Sequence, residues 1–193
     1  MKPLNASESR PLEGGASFSL GNRLRRAFWG LAWLLLCRFT PPPMHRWRRF
    51  ILNLFGASIA PGARVHASVK IWLPANLTLG PGVLIGPGAR LYNQGHITVG
   101  ERTVVSQGAY ICASTHDVAD PDFQLLLRPV ALGRECWVAA DAFVGPGVTM
   151  GDRAVLAARG ALFVDAEADM IYRGNPAEPL KRRLMRGDPA GIV

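Results

Sequence analysis

A chain of 193 residues, 49% hydrophobic and 19% charged, is long enough for one domain with a substantial core and too apolar to stay disordered. Its formal charge of +8 is uneven: residues 1–56 carry nine Lys/Arg against two acids, residues 57–172 eight against ten, and residues 173–193 five against two. Basic flanks around a slightly acidic centre speak against a nucleic-acid binder and suit a membrane surface or a phosphorylated small ligand.

Residues 1–20 are polar and are expected to be disordered. The apolar run Ala27–Cys37 has eleven residues, against the about twenty that a spanning helix needs. The "CRFTPPP" that follows offers no small-residue cleavage site for a signal peptide. The prolines at 41–43 end the first helix. A second, Met44 to Phe55, sets Trp47, Phe50, Ile51 and Leu54 on one face with Arg46, Arg48 and Arg49 beside them. Residues 21–56 therefore read as a basic amphipathic helical hairpin. It either covers one end of the main domain or lies at the headgroup level of a membrane. Three cysteines, Cys37, Cys112 and Cys136, form no metal pattern and fit buried thiols in a reducing, cytoplasmic compartment.

After Gly56 an aliphatic residue recurs every six positions. Leu73, Leu79, Ile85 and Leu91 carry it first. Two extra residues in "YNQGH" shift the phase, and Val99, Val105 and Ile111 follow. The pattern resumes through Leu132, Val138, Val144, Met150, Leu156 and Leu162. A period of six fits neither an amphipathic helix nor an alternating strand. It is the signature of a parallel β-helix, an all-β solenoid in which three hexads make a triangular coil. The solenoid is expected over residues 57–172, with small residues at its corners. Because coils bury their faces only on neighbours, the ends need caps. The helical hairpin and the basic segment 173–193, read as a short tail or helix, are the candidates. The hexads break over residues 113–129, where a loop is expelled. Loops expelled from a regular scaffold carry function, and this one begins at "CASTHD" with His116.

Hexads, "THD" before the extruded loop, "ECWVAADAFVGPGVTMGD" and "RGNPAEPLKRR" after the last coil resemble hexapeptide-repeat acyltransferases. Those enzymes have a left-handed β-helix and use acetyl-CoA. The stretch from "LYNQGHITVG" to "DPDF" looks most like the colanic-acid-biosynthesis type of O-acetyltransferase, and is similar to maltose and galactoside O-acetyltransferases. The resemblance covers about residues 57–185 and implies an acetyl transfer to a sugar hydroxyl in exopolysaccharide biosynthesis. It implies His116 as general base, a role for which imidazole has a suitable pKa. It places Asn93 near the acceptor and the thioester, orienting the hydroxyl or donating to the oxyanion, although Asn is also a common turn residue. It sets Trp137 beside the pantetheine arm and gives the backbone amides of Ala140 and Ala158 to the cofactor. The family often has "TKD" after the last coil, where this chain has Phe163–Asp165. The phosphates of acetyl-CoA then fall to Arg173, Lys181, Arg182 or Arg183. Asp117 stands too close in sequence to pair with His116 directly. A Cys112–His116 acyl-enzyme is the minor route.

The resemblance further implies a homotrimer with the cofactor between subunits, no metal, and a saccharide acceptor of the kind that can be lipid-linked. The charge distribution implies no nucleic acid, and the basic, Trp-bearing residues 21–56, if they bind a membrane, would meet that acceptor at its inner face. An amino-sugar N-acyltransferase on the same fold is the alternative. A β-helix carbonic anhydrase would need more metal-ligating histidines than His45, His66, His96 and His116 supply, and a non-catalytic scaffold would leave His116 and Trp137 without a purpose.

Overall fold

The aliphatic residues of the hexad series lie in strands of two or three residues and turn inward, while most of their predecessors face out. The structure is a computed structural model and describes residues 2–185. Three parallel faces stack around one core. The first holds Ser58–Ile59, Leu77–Leu79, Ile97–Val99, Val130–Leu132 and Thr149–Met150. The second holds Arg64–Val65, Leu84–Ile85, Val104–Val105, Trp137–Val138 and Val155–Leu156. The third holds Lys70–Ile71, Arg90–Tyr92, Tyr110–Cys112, Phe143–Val144 and Ala161–Leu162.

The register puts like residues over like. Ile59, Leu79, Val99, Leu132 and Met150 form one inner ladder. Val65, Ile85, Val105, Val138 and Leu156 form the second. Ile71, Leu91, Ile111, Val144 and Leu162 form the third. All fifteen are at most 9% exposed, so the ladders are the hydrophobic core. Twelve of these positions are those read from the sequence. Leu73 is not. The ladder residue there is Ile71, and Leu73 packs in a corner that carries two extra residues before Leu77. The coil Ile59–Val65–Ile71 thus precedes the series expected from Leu73.

The helical segment caps the open end of the first coil. Helix α1 spans Ala6–Ser9, α2 Leu20–Leu36 and α3 His45–Leu54. Trp29, Trp33 and Cys37 join Ile51 and Leu52 in the same core as the ladders, and Trp29 Nε1 donates to Ile71 O at 2.9 Å. Arg48 is fully buried and does not face a membrane. Its guanidinium donates to Val65 O, Pro41 O and Pro42 O at 2.7–3.0 Å and to Thr40 Oγ1 at 2.8 Å, which ties the Pro-rich turn to the solenoid. Ile51 faces inward, opposite to the exposed Trp47, Phe50 and Leu54 with which the sequence grouped it. The structure also gives residues 2–19, expected to be disordered, a defined course. Phe18 is buried and packs at 5.0 Å on Trp72.

At the other end a β-hairpin, Met170–Gly174 with Ala177–Arg182, closes the stack. Its first strand continues the second face beside Val155–Leu156. Residues 173–185 are therefore strand and turn rather than a tail or helix, because Ile171 and Tyr172 extend the parallel ladder before the chain turns back. Residues 186–193 of that expected segment lie outside the described residues.

Candidate active site

The chain leaves the solenoid at the corner between the third and first faces, after Cys112. The excursion is a hairpin: Ser114–His116 pairs antiparallel with Leu125–Leu127. Its base is pinned to the coil below. Ala113 O accepts from Gly95 N at 3.2 Å and from Arg128 N at 2.9 Å. A Cβ on Gly95 would stand 2.4 Å from that oxygen, so only glycine lets the corner and the hairpin base approach. Gln124, in the hairpin, accepts from Ala6 N at 2.7 Å and donates to Leu4 O at 3.1 Å. The N-terminal segment thus clamps the outer hairpin.

His116 ends the first strand, half-buried. Its Nδ1 lies 2.8 Å from Phe123 O. A carbonyl only accepts, so Nδ1 carries the proton and Nε2 presents its lone pair outward. The Phe123 ring stacks on the imidazole with centroids 4.4 Å apart and planes 13° apart. Phe123 takes a left-handed φ of 58°, an unusual conformation for a bulky residue, and it delivers both carbonyl and ring to one histidine. Nothing in the sequence marks this partner, because the pairing is made across the hairpin. Asp117 does not orient the imidazole; its carboxylate accepts from Ala119 N at 3.0 Å. The Cys112 thiol is directed to Ser114 O at 3.2 Å rather than to His116.

Asn93 is fully buried. Its Oδ1 accepts from Trp72 N at 2.9 Å and Leu73 N at 3.2 Å, and its Nδ2 donates to Leu73 O at 2.6 Å. The side chain replaces backbone pairing where the corner of the coil below bulges by two residues. These contacts brace the corner at Trp72–Leu73.

Trp137, Ala140 and Ala158 share another edge. Trp137 is 46% exposed on the outer second face, its Nε1 donating to Ser106 Oγ at 2.9 Å. Ala140 and Ala158 succeed it at the corner between the second and third faces, one coil apart, and Ala140 O accepts from Arg159 N at 2.9 Å. Among the described residues neither Ala140 N nor Ala158 N donates within the protein, so both N–H groups are available to a ligand. In register with Trp137 on the same face stand Val155, Ile171 and, across the terminal hairpin, Lys181. Arg173 and Arg182 are exposed in that hairpin. Arg183 is committed to the fold, donating to Glu135 O at 2.7 Å and Arg153 O at 3.0 Å. Asp165 accepts from Thr149 N at 2.7 Å, and Phe163 packs on Phe143. His116 thus lies at one corner of the prism and the Trp137–Ala140–Ala158 edge at another, a full face away. His96 Nε2 is 2.9 Å from Thr78 Oγ1, and no cluster of three metal-ligating side chains forms among the described residues.

A hexad β-helix that expels one hairpin matches the expectation of a hexapeptide-repeat acetyltransferase. The chain is 39% identical over 167 residues to the protein named colanic acid biosynthesis acetyltransferase WcaF in Escherichia coli (strain K12), a match that spans 86% of this chain and 92% of that one. The chain belongs to this acetyltransferase family, and its solenoid is the left-handed β-helix. No protein-family model matches it. Among solved structures, galactoside acetyltransferase in complex with coenzyme A superposes with a TM-score of 0.79 at 17% identity, covering 95% of this chain and 93% of that one. A hexapeptide-repeat acetyltransferase of Vibrio cholerae O1 biovar eltor, complexed with acetyl-coenzyme A, gives 0.77 at 16% identity, covering 94% of this chain and 100% of that one. At such identities these two likenesses speak to the fold.

Proposed function

We propose that this acetyltransferase moves the acetyl group of acetyl-CoA to a sugar hydroxyl of a glycan under assembly, with His116 as the base. One observation carries the reading: the Phe123 carbonyl holds the Nδ1 proton and leaves Nε2 as a fixed acceptor. The acceptor hydroxyl gives its proton to Nε2 as its oxygen attacks the thioester carbonyl carbon. A tetrahedral intermediate forms, the C–S bond breaks, and the imidazolium returns the proton to the leaving sulfur. Trp137, the amides of Ala140 and Ala158, and the cations Lys181, Arg182 and Arg173 suit the pantetheine and phosphates of the acetyl-CoA substrate.

The separation of that edge from His116 supports a closed homo-oligomer, a trimer in this reading, in which the base of one copy meets the acetyl-CoA edge of the next. The saccharide acceptor is lipid-linked, and the enzyme meets it at the inner face of the membrane in the cytoplasm. This rests on the outer face of α2 and α3, where Phe28, Leu31, Leu35, Phe50 and Leu54 are all more than half exposed beside Arg25, Arg46 and Arg49. No helix among the described residues is long and apolar enough to cross a membrane.

The test is release of CoA thiol from acetyl-CoA with a panel of sugar and amino-sugar acceptors. Wild-type activity on hydroxyl acceptors, with His116→Ala reducing kcat roughly 10²–10⁴-fold, is the expected result. Equal rates in both proteins would remove His116 from the chemistry, and transfer to amines alone would turn the reading to N-acylation.

A further inference from the structure

Helix α2 roofs the third face over its first coils and leaves a groove of about 990 Å³ between them. Arg23, Arg26 and Arg38 line it from the helix and the turn that follows, and Lys70 and Arg90 from the strands. No acidic side chain lines the groove, and none of these five cations has a carboxylate partner among the described residues. Five like charges around one concave wall repel one another until an anion is present.

The uncharged part of the wall also offers donors. The Tyr92 hydroxyl accepts from Gln94 Nε2 at 2.8 Å, so its own proton is free to donate. Burial raises the Tyr92 phenol, a nearby Cys112 adds to this, and Arg26 opposes it. Burial, with Cys112 next, pushes Tyr110 up to about 12, so both phenols keep their protons at neutral pH. The Tyr92–Tyr110 pair, at 6.3 Å, gives an aromatic wall on which the C–H side of a sugar can lie, and Arg26 is held over the Trp72 ring at 4.6 Å.

We propose that this groove is a second ligand subsite, which binds the phosphate or diphosphate of a phosphorylated saccharide and holds its sugar along the Tyr92–Tyr110 wall toward the His116 hairpin. The strand Tyr110–Cys112 runs directly into that hairpin, so an acceptor anchored by its anion has its sugar on the side of the base. The inference rests on the saccharide-acceptor reading and deepens it: the acceptor is recognised by charge before its hydroxyl is acylated. It also separates the acceptor's phosphates from those of acetyl-CoA, whose proposed edge is the Trp137 corner. The diphosphate can come from a lipid-linked or a nucleotide-linked sugar.

Isothermal titration of the full chain with inorganic diphosphate reads the site without any turnover. Binding is expected, weakening with salt, and about tenfold weaker in Lys70→Ala/Arg90→Ala, whose side chains face out from the third face and carry no core contact. Arg23→Ala, on α2, is expected to weaken it from the opposite wall, so a folding defect in one variant does not decide the matter. Acetyl-CoA affinity is expected to be unchanged in both. Displacement of diphosphate by UDP-glucose would identify a soluble source, and by phosphatidylcholine vesicles carrying undecaprenyl diphosphate a lipid source; either supports the site. Absence of diphosphate binding, equal affinity in all variants, competition by acetyl-CoA, or displacement by neither compound would overturn the proposal. Failure of acetyl transfer on unphosphorylated sugars would count against the catalytic reading alone.

Discussion

A histidine is a useful base only when one nitrogen is committed and the other free, and under the proposed function the Phe123 carbonyl makes that commitment for His116. The family resemblance pointed to His116, but the sequence held no sign of Phe123, because that contact is made by antiparallel pairing across the hairpin. Asn93 makes the converse point. Asparagine in "YNQG" suits either a site or a turn, and its burial with three backbone contacts shows the part it plays in the corner. Asn93→Ala would strand two backbone donors and an acceptor inside the corner at Trp72–Leu73. Each such group costs about 1–3 kcal/mol, partly relieved by water and relaxation. A loss of roughly 2–4 kcal/mol in urea unfolding is therefore expected. Residual activity per folded molecule is expected to stay near wild type. A stable variant with abolished turnover would return Asn93 to the chemistry.

At the scale of elements, the solenoid was legible because one inward residue per six is a local rule that every coil repeats. Val99, Val105 and Ile111 keep that rule after the "YNQGH" insertion, so the phase survives a bulge. The first coil escaped because the same two-residue bulge follows Ile71, and Leu73, apolar and buried, imitates the ladder. The hairpin caps and the N-terminal clamp obey no repeat. Their contacts join residues about 120 apart, as Ala6 and Gln124 show, and periodicity carries no information on such pairs. The clamp has a measurable consequence. Deleting residues 2–17 removes both Gln124 contacts while sparing the buried Phe18. The hairpin then opens locally at lower cost, and His116 samples unproductive positions. A fall in kcat of about 3–10-fold with the KM for acetyl-CoA unchanged is expected, since small misplacements are costly for a base. An unchanged kcat would show that the segment only covers the hairpin.

For the whole molecule, the proposed function sets two boundaries to test: a lipid surface at one end and a second copy along the side. The helical segment covers the end of the solenoid, one of the two alternatives read from its sequence, with Trp29, Trp33, Ile51 and Leu52 in the core, and it leaves Leu31 and Leu35 exposed. Truncating it would therefore unroof the core, and the informative variant is Leu31→Glu/Leu35→Glu. It is expected to keep the wild-type melting temperature within a few degrees and to lose co-sedimentation with anionic vesicles. Retained sedimentation would remove the membrane from the account. The second boundary follows from the distance between corners. If each site takes His116 from one copy and the Ala140–Ala158 edge from its neighbour, two separately inactive variants hold complementary halves. His116→Ala lacks the base. Ala158→Trp fills the corner where the ligand must approach the backbone. Co-expressed in equal amounts and randomly assembled in a closed ring, a site is intact when an Ala158→Trp copy offers its histidine to the edge of a His116→Ala copy. That arrangement occupies about one site in four, so about a quarter of wild-type activity is expected from the mixture. Activity no greater than the sum of the separate variants would mean that each chain builds its site alone. The Trp137 edge, lying a face away from His116, would then have to be given some purpose other than holding acetyl-CoA.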